Sequence, residues 1–246
     1  MLFLLDPNDP NAPFPDVSLA EREPDGLLAL GGDLSVTRLL NAYRRGIFPW
    51  FSVGDPILWW SPDPRTVLDP NRVRISRSLR KTLRKGLFRV TMDRNFDDVI
   101  SACSEPRAGT DGTWLVPEMI SAYRHLHRRG HAHSVEVWHE GELAGGLYGV
   151  ALGRVFFGES MFTRVNDASK VALVHLCRRL SSLGFALIDC QVLTDHLIRM
   201  GAEEVPRSVF THLLERWGDQ HARTGSWEDD EIISAVPNAA PLRSPS

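Results

Sequence analysis

The chain has 246 residues, enough for one large domain or a small domain beside a medium one. Its composition, 43 % hydrophobic and 24 % charged, is that of a globular protein, and no apolar run approaches the roughly 20 residues that span a bilayer. The net charge of −3 gives no overall attraction to nucleic acid, so any such affinity has to come from a local patch. The apolar opening Met1–Leu5 stops at Asp6-Pro7 and has no basic flank, which is not the pattern of a signal peptide. Cys103, Cys177 and Cys190 are too widely spaced for a disulfide framework or a zinc ribbon, and the expected compartment is a reducing cytoplasm.

Nine of the 16 prolines fall in the first 65 residues, so residues 1–65 are expected to form a small, turn-rich N-terminal domain of short elements. One helix stands out there: Ser35 as N-cap, Leu39, Leu40 and Tyr43 as an apolar stripe, and Gly46 as the stop. Aromatic residues follow directly, with Trp50 and Phe51 and then Trp59 and Trp60. Eight Lys/Arg and no Asp/Glu lie between Arg72 and Arg89. Ser76 caps a helix ending at Gly86, with Leu79 and Leu83 inward and Arg77, Arg80, Lys81 and Arg84 on the outer face. Pro117 opens another helix, with Met119, Ile120, Tyr123 and Leu126 as its stripe and Gly130 as its end. Alternation marks strands over 134–139, 142–151 and 154–162, joined by turns at Glu140-Gly141 and Leu152-Gly153. Asn166 is placed to cap a helix running to Leu183, and Phe185–Gln191 reads as a buried strand. Short helices over 195–200 and 206–217 complete the folded part. From residue 218, the acidic run at Trp227–Glu231 and the Ser/Pro/Ala-rich end read as a mobile tail. No internal repeat is present. The order over 66–217 is that of an α+β mixed-sheet domain resembling the acetyltransferase-like (GNAT) fold.

Three features could carry chemistry. Strand alternation puts Val155, Phe157, Glu159 and Met161 on one face, and Leu187, Asp189 and Gln191 on one face of a later strand. If the strands are neighbours, Glu159, Asp189 and Gln191 meet over one cavity. Otherwise Glu159 is wetted at a strand end or satisfies buried backbone. The aromatic set Trp50, Phe51, Trp59, Trp60 and Trp114 suits stacking on unpaired bases, or else serves as the core of a domain short of aliphatics. The basic helix is either a phosphate-binding face or a solvated one, the missing acids favouring phosphate. His125, His127, His131 and His133 lack a carboxylate or thiolate at ligand spacing, so no metal is expected. No P-loop, dinucleotide fingerprint or nucleophile elbow is present, and no cofactor is expected. After the third strand the chain reads Thr163-Arg164-Val165-Asn166-Asp167, without the glycines that would wrap a coenzyme A pyrophosphate. That points away from acyl-CoA as the donor.

Longer blocks then become recognisable. They are Asp25–Leu34, Tyr43–Phe51, Trp59–Pro62, Ala132–Trp138, Phe157–Phe162, Ala168–Lys170 and Ile188–Gln191. From about Phe14 to Leu214 the chain resembles the bacterial leucyl/phenylalanyl-tRNA–protein transferase family. The resemblance implies transfer of Leu, Phe or, less well, Met from aminoacyl-tRNA to proteins beginning with Arg or Lys, which marks them for degradation by the N-end rule. It implies that Trp50 and Trp114 hold the 3′ adenosine, and that Leu147, Leu176 and Ser160 line the aminoacyl pocket beside Glu159. Catalytic hydrogen bonds fall to Glu159, Asp189 and Gln191, and tRNA phosphates to Arg77, Arg80, Lys81 and Arg84. A monomer without membrane association is expected. The competing readings are an acyl-CoA-dependent acetyltransferase and a noncatalytic RNA-binding module.

Overall fold

A computed structural model describes residues 2–106, 115–220 and 225–228. The N-terminal part builds a four-stranded sheet from β1 (Phe3–Leu5), β2 (Leu27–Gly31), β3 (Phe48–Pro49) and β4 (Leu58–Trp60), in the order β1-β2-β4-β3. Between β2 and β3 runs α1 (Val36–Arg44), where the Ser35 hydroxyl accepts from the Arg38 amide at 3.2 Å. Gly46 follows it at φ +73°, and a Cβ there would lie 2.8 Å from Phe210, so both backbone conformation and packing require glycine. Arg38 is fully buried and ties the proline-rich opening loop down through the carbonyls of Asp6, Asp9 and Ala12.

The larger sheet has seven strands: β5 (Arg65–Leu68), β6 (Arg89–Met92), β7 (Ala132–His139), β8 (Glu142–Leu152), β9 (Val155–Thr163), β10 (Leu187–Gln191) and β11 (Glu203–Val205). Their order is β11-β5-β10-β9-β8-β7-β6, antiparallel throughout except for the parallel β9–β10 pair. The expected meander is therefore present, extended by β5, β6 and β11, which local alternation does not mark. Helices cover both faces. Residues of α1, α3 (Phe96–Ser104), α4 (Pro117–Arg128) and α7 (Arg207–Trp217) pack on one face, in a core shared with the small sheet through Leu28 and Trp59. Residues of α2 (Arg77–Lys85), α5 (Ala168–Ser182) and α6 (Asp195–Met200) fill the other face. The result is a mixed α+β sheet with a smaller N-terminal sheet beside it.

Two local expectations change. The residue that heads α5 is Asp167, not Asn166; it sits at φ +68° with its carboxylate turned to Lys170 (2.7 Å) and Thr82 (3.1 Å) instead of capping the helix. Trp227, assigned above to a mobile tail, is 1 % exposed. Its ring stacks on His133 at a centroid distance of 3.8 Å, and its amide donates to Asp93 at 2.7 Å. An aromatic of that size removed from water is a strong anchor, and it outweighs the acidic residues around it. No helix among the described residues is long and apolar enough to cross a membrane.

Candidate active site

The parallel β9–β10 pair sets Asp189 opposite Phe157, so the two carboxylate-bearing strands are indeed neighbours. Strict alternation breaks in β9. Tyr148 pairs with Ser160 and Gly149 with Gly158, which leaves Glu159 as the extra residue of a bulge. The bulge keeps Glu159 on the side of Phe157 and reverses the parity beyond it. Met161 consequently packs with the α5 core, while Phe162 faces the α3–α4 side. The expected common face thus holds for Val155, Phe157 and Glu159 but not for Met161.

Glu159 is buried, and three side chains converge on it. Tyr43 from α1 reaches Oε1 at 2.8 Å, Tyr123 from α4 reaches Oε2 at 2.6 Å, and Gln191 Nε2 donates to Oε1 at 3.1 Å. The two tyrosine hydroxyls are also 2.8 Å from each other. Three oxygen–oxygen contacts need three protons, and two hydroxyls supply two. The ring is fully hydrogen-bonded only when Glu159 itself carries a proton. The electrostatics agree: burial pushes the carboxyl from its usual range up to about 7, against the pull of both hydroxyls and of Arg65. Near neutrality Glu159 is therefore poised between acid and carboxylate. Burial, followed by the charge on Glu159, raises both tyrosine hydroxyls well above their ordinary range, so they stay donors.

Asp189 is fully buried and lies behind this cluster. Its carboxylate takes both prongs of the Arg65 guanidinium, at 2.8 and 2.7 Å, and accepts the Gln191 backbone N–H at 2.9 Å. The guanidinium is sandwiched between the rings of Phe48 and Phe210, at 4.8 and 4.7 Å from their centroids. Held this way, Gln191 adopts φ +62° at a register shift in β10 and aims its amide at Glu159. Asp189 contacts Gln191 through the backbone and touches no solvent.

Glu159 and Gln191 line a cavity of about 800 Å³ that opens where β9 and β10 diverge. Leu147, Ser160 and Leu176 line it too, with Phe156, Leu173 and Ile188, so apolar walls sit beside the polar cluster. Trp50 is 47 % exposed, packs against Trp60 at 5.6 Å and is not part of that lining. Trp59 and Phe51 are buried and belong to the core. Trp114 lies outside the described residues. Arg77, Arg80, Lys81 and Arg84 project from α2 into solvent, and among the described residues none of them is in an ion pair. The histidines considered for metal binding are dispersed: His127 stacks on Phe96, His125 bonds the Ser121 carbonyl, and His133 bonds Asp93.

Sequence reasoning missed three members of the site. Tyr43 and Tyr123 read as core residues on helical stripes; the signal was that each is tyrosine where phenylalanine would fill the stripe as well, and a buried phenol needs a partner. Arg65 carries no local signal, since its partner is 124 residues away.

Comparisons with known proteins place the chain in one family. The leucyl/phenylalanyl-tRNA protein transferase profile matches residues 67–215, and the profile of that family's N-terminal domain matches residues 32–63. Relatives named leucyl/phenylalanyl-tRNA–protein transferase include one from Methylococcus capsulatus, 56 % identical over 228 residues that span 93 % of this chain and 97 % of the relative. Another, from Aromatoleum aromaticum, is 60 % identical over 225 residues, covering 92 % and 95 % of the two chains. A third, from Syntrophobacter fumaroxidans, is 61 % identical over 225 residues, covering 91 % and 95 %. Among solved structures, a GCN5-related N-acetyltransferase from Kribbella flavida matches 67 % of this chain and 58 % of its own, at 12 % identity and a TM-score of 0.36. With the profile covering most of the chain and identities of 56–61 %, this protein belongs to the leucyl/phenylalanyl-tRNA–protein transferase family.

Proposed function

We propose that the protein moves Leu, Phe and, less well, Met from their tRNAs to the N-terminal Arg or Lys of acceptor proteins, marking them for degradation by the N-end rule. It does so as a monomer in the cytoplasm. The observation that carries this reading is the cavity that joins the Glu159–Gln191 cluster to the apolar walls of Leu147 and Leu176. The walls take the aminoacyl side chain, and the cluster takes the reacting polar groups. Acyl-CoA suits the site less well, because the Asp167 carboxylate already stands at the head of α5, bonded to Lys170 and Thr82, and opposes a second anion there.

The reaction is aminolysis. The acceptor's α-nitrogen bonds to the ester carbonyl carbon, the bond from that carbon to the ribose oxygen breaks, and a nitrogen proton passes to the departing ribose. An α-amine has a pKa of about 7.7–8.0, so a useful fraction is neutral at cellular pH and no strong base is needed. Gln191 is no base. Its Nε2 is committed to Glu159, which leaves its carbonyl oxygen to accept from the attacking amine and aim it. Glu159 receives the α-amino group of the aminoacyl ester. Trp50 and Trp114 hold the terminal adenosine.

Gln191→Ala and Gln191→Glu test the aiming role with Phe-tRNA and a peptide beginning with Arg. Each variant should lose about 100-fold in kcat. Near-normal turnover in both would remove Gln191 from the mechanism. The basic helix is tested separately. Arg77→Ala, Arg80→Ala and Arg84→Ala should each raise the KM for tRNA and make log KM less steep in log salt, by just under about one unit per phosphate contact on a duplex. If neither KM nor its salt dependence moves, these residues form a solvated face and bind no phosphate.

A further inference from the structure

Ser169 has no role in the mechanism above. It lies in the first turn of α5, one turn before Leu173 and two before Leu176, so the three share one face of the helix at i, i+4 and i+7 spacing. All three line the cavity that holds Glu159 and Gln191. Ser169 is 9 % exposed, and its hydroxyl meets no hydrogen-bond partner among the described residues. The usual tie of a helical serine, a bond back to the carbonyl one turn earlier, is not made here, which leaves the hydroxyl to the cavity that the residue lines. Nearby His196, also in the lining, is kept from protonation by burial and by Lys170 and Arg199, so it adds no charge to this wall. An O–H donor set along the leucine stripe of this wall discriminates between side chains that fill the same volume. The hydrocarbon ends of Leu and Phe leave the donor unpaired or require a trapped water. A thioether has lone pairs at its sulfur and accepts the bond.

We propose that Ser169 is a specificity-determining residue of the aminoacyl pocket, whose hydroxyl donates to the sulfur of a methionyl side chain and so admits Met alongside Leu and Phe. The inference rests on the reading of this cavity as the aminoacyl pocket. The test compares Leu-, Phe- and Met-tRNA as donors to a peptide beginning with Arg, using the full chain and its Ser169→Ala and Ser169→Thr variants. Ser169→Ala should lower the ratio of kcat/KM for Met over Leu, and for Met over Phe, about fivefold. Ser169→Thr keeps the hydroxyl and should restore the ratio. The inference is overturned if the ratio does not change in Ser169→Ala, or if all three donors fall together, which is the mark of a purely structural residue. Failure of the unmodified protein to transfer any of the three would instead overturn the functional reading on which the inference stands.

Discussion

Replacing Arg65 with methionine should cost the fold about 3–5 kcal/mol, measured as a shift in the urea midpoint at constant slope. Methionine fills the space between Phe48 and Phe210 and loses only the charge. What remains is Asp189, 0 % exposed, with its negative charge unpaired in the interior. The cost comes from that stranded charge more than from any net gain in the original pair, because two ions withdrawn from water lose most of what they regain from each other. This view has a sharp corollary. Adding Asp189→Asn to Arg65→Met should recover much of the lost stability, since the amide is neutral and its oxygen still accepts the Gln191 N–H. Activity should not return with it, because Gln191 is then held by one weak bond instead of a clamped carboxylate. A single Arg65→Met variant within about 1 kcal/mol of the parent would show that Asp189 is stabilised by something other than Arg65.

Glu159→Gln should separate stability from activity in opposite directions. In the folded chain the Glu159 proton is held up to about pH 7, whereas in the unfolded chain it leaves near the ordinary value of 4.5. Between those values the folded state binds the proton and the unfolded state does not, so folding stability falls as pH rises through this window. The accumulated loss above pH 7 is of order 3 kcal/mol, from about 1.4 kcal/mol per unit. A glutamine at 159 reproduces the protonated acid: its NH₂ donates to one tyrosine hydroxyl, and its oxygen accepts from the other. The variant should therefore match the parent in thermal stability near pH 4, below the window, and exceed it at pH 8. Its kcat/KM should fall roughly 10- to 100-fold through loss of a charged hydrogen bond to the aminoacyl amine. The rise in parental kcat/KM as pH passes about 7 should disappear, leaving only the limb due to the acceptor amine. Equal thermal stability at pH 8 would mean that Glu159 is ionised in the fold at all working pH values, against the proton count of its tyrosine ring.

The parts of this architecture legible in the sequence are those whose causes are local. Ser35 and Ser76 each accept a backbone N–H at the start of a helix, and Gly46 and Gly86 adopt positive φ at the ends, so α1 and α2 are announced by four residues. The β7–β8–β9 meander is announced by alternation and by turns at Gly141 and Gly153. What escapes is set by distant partners. β5 is four buried residues around an arginine, with no alternation to read; it becomes a strand because β10 and β11 flank it. α3 has no side-chain cap at Asn95, so its start carries no signature. The bulge at Glu159 is the instructive case: the residue was identifiable as an expensive carboxylate, but the shift in parity that moves Met161 to the other core depends on how β8 pairs. Glu159 and Gln191 were visible as candidates; Tyr43, Tyr123 and Arg65, which make them a site, were not.

The position of β5 between β10 and β11 also imposes a schedule on the ribosome. Arg65 emerges early, yet Asp189 follows 124 residues later and Phe210 later still. At about 5–20 residues per second, the strand that anchors Gln191 waits roughly 6–25 s for its charge partner. Until then β5 has neither neighbour, and the guanidinium of Arg65 has nothing to clamp. The clamp behind Gln191 is thus missing from the nascent chain until α7, the last helix among the described residues, brings Phe210 over Arg65.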